Sequence, residues 1–510
     1  MIPVTSILNI DMKVYKLKDN ELFIGGCLND GVNMPYDKNS VFSRDLRTFH
    51  SGNQASSLLF STCGTIIYSD RPFTFCFDKG TLTLDEDISI EETGLDFVST
   101  IRTIRERLFR KQNRAPQKLF YENPQFNTWI EMEWNCTEEK VISYAEDIIS
   151  HGYKPGVFMI DDCWCKDYGV YDFDPQKFPH PKEMIDKLHA LGFKVMLWLV
   201  PFVSPDSSVF RYLESKGLLC KDRNDETMIT HWWNGYSAAL DLTNEDSIAW
   251  IENEFKRLID EYKVDGFKMD GADPEYYLNI KSGKPYEQAR EWCLLGEKYD
   301  FTELRVGLNC FNSNTVHRLR DKNHSWQDDG INALIPNAIV ASLIGYPYIC
   351  PDMIGGGMVP SFHSDGFKID EELFVRYSQV AACFPMMQFS LAPWKCLSTD
   401  NQRIVLESVK FHETLVPLID RLWEDAKDGV GIIRSMAEVE NDASYLPITD
   451  QFFLGDDLLL APIITKGGKR KVILPKGKWL GDDNKVYEGG EYEIVADLKR
   501  IPHFKRIKGE

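Results

Sequence analysis

The sequence predicts an α/β protein, a (β/α)8 TIM barrel flanked by an N-terminal β-sandwich and a C-terminal β-domain. Three observations predict it. From about residue 118 to 430, short apolar runs alternate with amphipathic helical segments, the pattern of a parallel sheet covered by helices. Polar residues recur at the carboxyl ends of those runs, where a barrel gathers its active site. Both flanks read instead as short strands punctuated by Gly, Asn, Asp and Pro, the signature of antiparallel β-structure. The expected boundaries are 1–115 for the sandwich, 116–430 for the barrel and 431–510 for the C-terminal domain.

In the N-terminal part, residues 21–24, 57–60, 65–68 and 73–77 are rich in β-branched and aromatic side chains and read as strands. Residues 98–111 read as one helix leading out of them. In the barrel, Val141, Tyr144, Ala145, Ile148 and Ile149 repeat at helical spacing, with Thr137 as N-cap and Gly152 as stop. The apolar run 157–160 follows and ends in Asp161-Asp162. A helix over 181–191 stops at Gly192 and precedes the run 194–200. A helix over 248–262 leads to 264–269, which ends in Asp270. A helix over 286–299 leads to 305–308, ending in Asn309, and a helix over 333–344 leads to 346–350, ending in Asp352. Asp241 also falls at a predicted strand end. An open doubly wound sheet would gather residues in the same way. However, no G-x-G-x-x-G opens a helix, and Gly355-Gly356-Gly357 lacks that spacing. Strand character returns at 430–435, 452–454, 458–464, 471–474 and 486–494.

Composition narrows the function. The chain has 510 residues, 43% hydrophobic and 27% charged, with a formal net charge of -20. This is globular composition with enough length for a barrel and attachments. The acidic balance and the absence of a dense Lys/Arg run argue against nucleic acid and against an anionic membrane surface as partners. The basic stretch 102–114 is interrupted by Glu106 and reads as a solvated helix face. No stretch approaches the roughly 18 apolar residues that span a bilayer. The N-terminus lacks a basic segment followed by a long apolar one, so a cytoplasmic location is expected. Twelve cysteines show no paired spacing. Cys163 and Cys165 form C-x-C with no second pair nearby to complete a metal site, and free thiols in a reducing compartment are the simpler account. Neither a metal nor a cofactor is expected.

Acidic residues at a barrel mouth suit several chemistries. Carboxylates can hold a divalent cation, or a pair of them can cleave a glycosidic bond. A lone Asp is most often a helix cap or turn residue. Asp161, Asp241, Asp270, Asn309 and Asp352 at equivalent strand ends favour a site. Asp270 follows Lys268 by two residues, and a neighbouring cation keeps a carboxylate ionised as a nucleophile requires. Asp273 and Glu275 follow on the same loop.

Several tracts then carry a resemblance. FKMDGAD around Asp270 resembles the nucleophile motif of glycoside hydrolase family 31. GYPYICPDMIGGG resembles that family's segment ending in Asp-Ile-Gly-Gly, and YDFDPQKFPHPKEMIDKLHALGFKVMLWLVPFV its strand-to-helix region. QFFLGDDLLLAPII, then KVILPKGKW, resembles the start of its C-terminal β-domain. The likeness runs from about residue 118 to 480, with the motifs in order. THWWNG, LDLTN, PDMIGGG and MMQFSLAPW look closest to the branch that includes the myogenesis-regulating glycosidase and bacterial α-galactosidases. Where α-glucosidases of the family carry Arg-x-His, this chain has Gln388-Phe389-Ser390.

The resemblance implies a retaining mechanism with Asp270 as nucleophile. The family's acid/base lies in Trp-x-Gly-Asp. Trp326-Gln327-Asp328-Asp329 matches the Trp and the final Asp, which makes Asp329 the expected acid/base, with Asp328 and then Asp321 as alternatives. The two carboxyl groups should lie roughly 5–5.5 Å apart. Asp161, Asp162 and Asp352 are expected to accept hydrogen bonds from sugar hydroxyls, and Arg318 or Arg320 to supply a charged donor. Lys268 is a further candidate donor. Trp129, Trp164, Trp198, Trp233, Trp326 and Trp394 are candidate pocket walls, although a tryptophan is more often core. The expected activity is exo-hydrolysis of α-linked sugars, most of all α-galactosides, from a small oligosaccharide or glycoside. The alternatives are an α-glucosidase, a sulfoquinovosidase or another α-glycosidase of the family, a catalytically silent sugar-binding protein, and a metal-dependent lyase or isomerase. Homo-oligomerisation is left open.

Overall fold

Eight parallel strands form the barrel: β1 (Gln125–Asn127), β2 (Val157–Ile160), β3 (Lys194–Leu199), β4 (Gly266–Met269), β5 (Phe301–Leu304), β6 (Val316–Arg318), β7 (Ile349–Cys350) and β8 (Gln388–Phe389). The computed structural model describes residues 12–508. The strands pair in sequence from β1 to β7, and β8 returns beside β1, so the ring is nearly closed. Helices cover its outside, so strands such as VFMI of β2 are buried along their whole length and read as apolar runs rather than alternating ones.

The surrounding helices begin and end where local chemistry dictates. Thr137 caps Glu138–Ser150 by accepting from the Lys140 N–H. Asn244 caps Glu245–Tyr262, which ends where Lys263 turns left-handed at φ 63°. Each places an apolar stripe on the barrel, with Ile251, Phe255 and Leu258 buried on the latter.

Two predicted strand ends fall elsewhere. The fifth barrel strand is Phe301–Leu304, not 305–308. The chain leaves the barrel at Arg305, and Gly307–Leu308 pair in parallel with Gln54 and Ala55 of the N-terminal domain. Asn309 therefore serves that junction, accepting from the Ser57 N–H at 2.7 Å. Asp241 follows a strand of an inserted hairpin, Ile229–Trp232 and Gly235–Ala239, and accepts from Thr243 and Gln288. Strand β6 carries no apolar run to announce it, because His317 and Arg318 are both buried there.

The N-terminal residues form two antiparallel sheets. One orders Met12–Lys16, Thr81–Asp85, Thr74–Asp78 and Val41–Asp45. The other centres on Gln54–Ser61, flanked by Phe23–Cys27 and Thr65–Tyr68. Phe23, Tyr36, Phe75 and Phe77 fill the space between, the Tyr36 and Phe77 rings stacked at 4.7 Å. Helix Phe97–Leu108, capped by Asp96, leads out. After the long helix Thr399–Asp425, six antiparallel strands from Ile433 to Ile507 form the C-terminal sheet, with Phe453, Trp479 and Phe504 in its own core. All twelve cysteines are free. Among the described residues, no helix is long and apolar enough to cross a membrane. Nor, among them, does any group of three or more His, Cys, Asp or Glu have a metal-holding arrangement.

The barrel interior is charged toward its carboxyl end. Arg318 is buried to 1% exposure, 3.2 Å from Glu303, and it also bonds Asp321 and Asp352. Gln388 donates to the other Glu303 oxygen at 2.7 Å. Removing one member of such a buried set leaves its partners unpaired. Arg318→Met should therefore cost about 3–5 kcal/mol of stability, read as a lowered thermal midpoint with the far-ultraviolet spectrum retained.

Candidate active site

A cavity of about 600 Å³ opens at the carboxyl end of the strands, within the size range of small-molecule sites. Its barrel-derived walls are Trp129 and Trp134 after β1, Asp161 and Asp162 after β2, Trp198 on β3, Lys268 on β4, Asp270, Asp273, Glu275 and Tyr276 after β4, Arg305 after β5, Arg320 and Asp321 after β6, and residues 357–360 after β7. Two outside elements complete it. The sandwich contributes Phe49 and Gly52, and the inserted hairpin contributes Trp233 and Asn234 from its tip.

Asp270 is fixed by three hydrogen bonds. Its Oδ1 accepts from Arg305 Nε at 2.5 Å and from the Gly271 N–H at 2.9 Å, and its Oδ2 accepts from Trp198 Nε1 at 3.0 Å. Burial by itself would raise its pKa; Arg305, then Lys268 and Arg318, overcome this and hold it well below the usual carboxylate range. The turn that presents it is tight. Gly271 and Ala272 both have positive φ, at 66° and 61°, and a Cβ on Gly271 would press on Phe202 at 3.0 Å. The left-handed Ala272 is a local strain at the site. Arg305 is held in turn by Asp273, with contacts of 2.9 and 2.6 Å, and by the Gly52 carbonyl at 2.6 Å, and its guanidinium lies over Trp233 at 5.5 Å.

A second carboxylate on the cavity is Asp321. It lines the cavity with a side chain 30% exposed, whereas Asp352 behind it has none. Both accept from Arg318 Nη1, at 2.7 and 2.9 Å. Burial, with Asp321 adding, pushes Asp352 up to about 7. At the opposite wall, Lys268 Nζ donates to Asp161 at 2.6 Å. Asp162 accepts from Asn234 at 2.6 Å and from Tyr168 at 3.1 Å, and burial, then Asp161, raises it to about 6. Glu275 is raised to about 7, by burial and then by Asp273.

The structure brings Asp270, Asp161, Asp162, Lys268, Trp129, Trp198 and Trp233 to the cavity. It does not bring Asp329 there. Asp329 and Asp328 are exposed, and Asp329 accepts from Asn323 at 2.8 Å. The local match to Trp-x-Gly-Asp carries no information on where the loop turns, and the turn leaves Asp321, three residues beyond β6, facing inward. Arg318 and Asp352 lie beneath the cavity as a pair rather than lining it. Trp164 is core, its indole donating to the Trp198 carbonyl at 2.7 Å. Trp326 donates to Asp370 at 3.1 Å, and Trp394 stacks on His151 at 4.6 Å. Neither lines the cavity. Phe49, Gly52, Trp134, Arg305 and Tyr276 escaped sequence reasoning. Only Arg305 had a local signal, since it immediately follows the apolar end of β5.

The family model for the glycosyl hydrolases family 31 TIM-barrel domain matches residues 125–304, and the model for the family's C-terminal domain matches 429–508. The myogenesis-regulating glycosidase of Mus musculus is 32% identical over 81% of this chain and 60% of its own length. A sulfoquinovosidase of Escherichia coli is 24% identical over 67% of this chain and 53% of its own. The chain thus spans about half to three fifths of these relatives. Among solved structures, a Flavobacterium johnsoniae dextranase complexed with glucose superposes with a TM-score of 0.83 at 18% identity, covering 97% of this chain and 66% of that one.

The hold on Asp270 has a measurable consequence if this carboxylate must be ionised for turnover. Arg305→Met removes the cation that most opposes its burial, so its pKa rises. The acid limb of the kcat/KM profile should move to higher pH in the variant, and activity near pH 5 should fall more than activity near pH 7.

Proposed function

Because the chain belongs to glycoside hydrolase family 31, we propose that it is a retaining α-glycosidase in which Asp270 is the nucleophile and Asp321 the acid/base. The observation that carries this reading is the placement of two carboxylates in contrasting surroundings on one cavity: Asp270 locked by Arg305 and Trp198, Asp321 partly exposed. Such a contrast is what a nucleophile and a proton donor need.

In this reading a terminal sugar enters with its anomeric carbon facing Asp270. Asp321 gives its proton to the glycosidic oxygen as the C–O bond breaks. Asp270 forms the ester through an oxocarbenium-like transition state, and the aglycone leaves as an alcohol. Asp321, now a carboxylate, takes a proton from water, which displaces Asp270 from the anomeric carbon and restores both groups. Asp161, Asp162 and Lys268 bind hydroxyls, and Trp129 and Trp198 supply apolar walls. These three polar groups are already tied to each other or to Asn234, so they meet substrate without reorganising.

We further propose α-galactosides as the substrate class. Residues Gln388 to Ser390 are engaged inside the barrel, Gln388 with Glu303 and Ser390 with the Ile130 N–H. No histidine lines the cavity among the described residues, which distinguishes this site from the Arg-x-His pattern of α-glucosidases. A second reading, a sugar or aglycone bearing an anion, is favoured by Arg320. It lines the cavity, and among the described residues its side chain bonds only the Ser51 carbonyl, through Nη1 at 3.1 Å.

A panel of p-nitrophenyl α-glycosides tests the reading, with Asp270→Asn and Asp321→Ala alongside. Galactoside cleavage is expected, abolished in Asp270→Asn. Asp321→Ala should lose about 10²–10⁴-fold on a glycoside with a poor leaving group. Cleavage of only the glucoside or the sulfoquinovoside would redirect the substrate. Equal turnover by Asp270→Asn would remove the mechanism.

A further inference from the structure

We propose that Asn53, a residue of the N-terminal β-sandwich, positions the two reacting carboxylates by clamping the barrel segments that hold them. The proposal rests on the roles given above to Asp270 and Asp321. Asn53 is fully buried. Its Nδ2 donates to the Arg305 carbonyl at 3.1 Å and to the Arg318 carbonyl at 3.0 Å, and its Oδ1 accepts the Arg320 N–H at 2.9 Å. One amide thereby ties the exit of β5, whose Arg305 holds Asp270, to the exit of β6, which leads into Asp321.

The chemistry of these contacts calls for this side chain. Two of the three backbone groups are acceptors and one is a donor, which matches the two N–H groups and one oxygen of an amide. An aspartate would set an anionic oxygen against two carbonyls. An aliphatic side chain would leave all three groups without these partners. Neighbouring contacts act in the same sense. Arg305 Nη1 donates to the Gly52 carbonyl, Arg320 Nη1 to the Ser51 carbonyl, and Gln54 Nε2 to the Leu304 carbonyl at 3.0 Å. Gly52 adopts φ +72°, and a Cβ there would lie 3.3 Å from Arg320 and 3.4 Å from Arg305, so the loop fits closely between the two guanidinium groups. The sandwich is therefore part of the catalytic apparatus although none of its residues reacts.

The test compares Asn53→Leu, which keeps the branched heavy-atom shape, and Asn53→Asp, which keeps the acceptor, with the parent and with Asp321→Ala. Two readouts are taken. In hydrogen exchange, the peptide containing residues 318–322 should lose protection in Asn53→Leu while strands β2 and β3 keep theirs. In kinetics, kcat should fall about 10²-fold, as for a misplaced reacting group. The fall should be at least tenfold larger on a methyl α-glycoside than on its p-nitrophenyl counterpart, because only the former depends on the acid, and KM should stay within threefold. Asn53→Asp should be impaired in the same way. Unchanged protection at 318–322 overturns the proposal whatever the substrate proves to be. Equal losses on both leaving groups overturn it too, since the acid would then have kept its place. If Asp321→Ala shows no leaving-group dependence, the acid assignment has failed instead, and the exchange result alone decides for Asn53.

Discussion

Lys268 and Arg318 sit buried at the mouth of the barrel, with Arg305 nearly so, and each has a carboxylate partner within 3.2 Å. Charges removed from water are costly unless paired and hydrogen-bonded. The upper barrel is therefore organised around satisfying them: Asp161 for Lys268, Asp270 and Asp273 for Arg305, and Glu303, Asp321 and Asp352 for Arg318. Apart from Arg318–Asp321, three residues apart in the chain, the pairs join different strands, so these charges are matched only when the strands are assembled in register. The same constraint explains why a barrel interior that packs apolar side chains lower down carries Gln388 and Glu303 in contact near the top.

This arrangement divides the carboxylates by environment rather than by type. Asp270 is surrounded by donors and opposed to several cations, which fixes it as an anion. Asp321 shares one guanidinium nitrogen with a deeper carboxylate whose own pKa is lifted to about 7. Asp162 and Glu275, raised to about 6 and about 7, add titratable groups to the walls.

The parts of this account that were legible in the sequence are those with a local cause. Asp270 was legible because a strand of four apolar-flanked residues ends at it and Lys268 lies two positions before. Asp161 and Asp162 were legible for the same reason after β2. The three-layer organisation followed from where helical periodicity starts and stops. The short match to Trp-x-Gly-Asp points to Asp329 and not to Asp321. The direction of the loop between Arg318 and Gly330 depends on the buried Arg318 pair and on the clamp at Arg320, and both involve residues far away in the chain. Strand β6 hid for a related reason, since its His317 and Arg318 face partners that only the fold supplies. Gly52 and Asn53 lie some 250 positions before the arginines they touch, and nothing within a window of sequence links them.

The central claim is that Asp270, held ionised by its cations, is the group that bonds to the sugar. The direct measurement is mass spectrometry of peptides after reaction with a 5-fluoro glycosyl fluoride of the sugar the enzyme hydrolyses, which traps the covalent intermediate. A sugar-mass adduct on the peptide carrying Asp270, absent when unlabelled substrate competes, is the predicted result. An adduct on Asp321 or on any other residue would contradict the account, as would inactivated enzyme that carries no adduct.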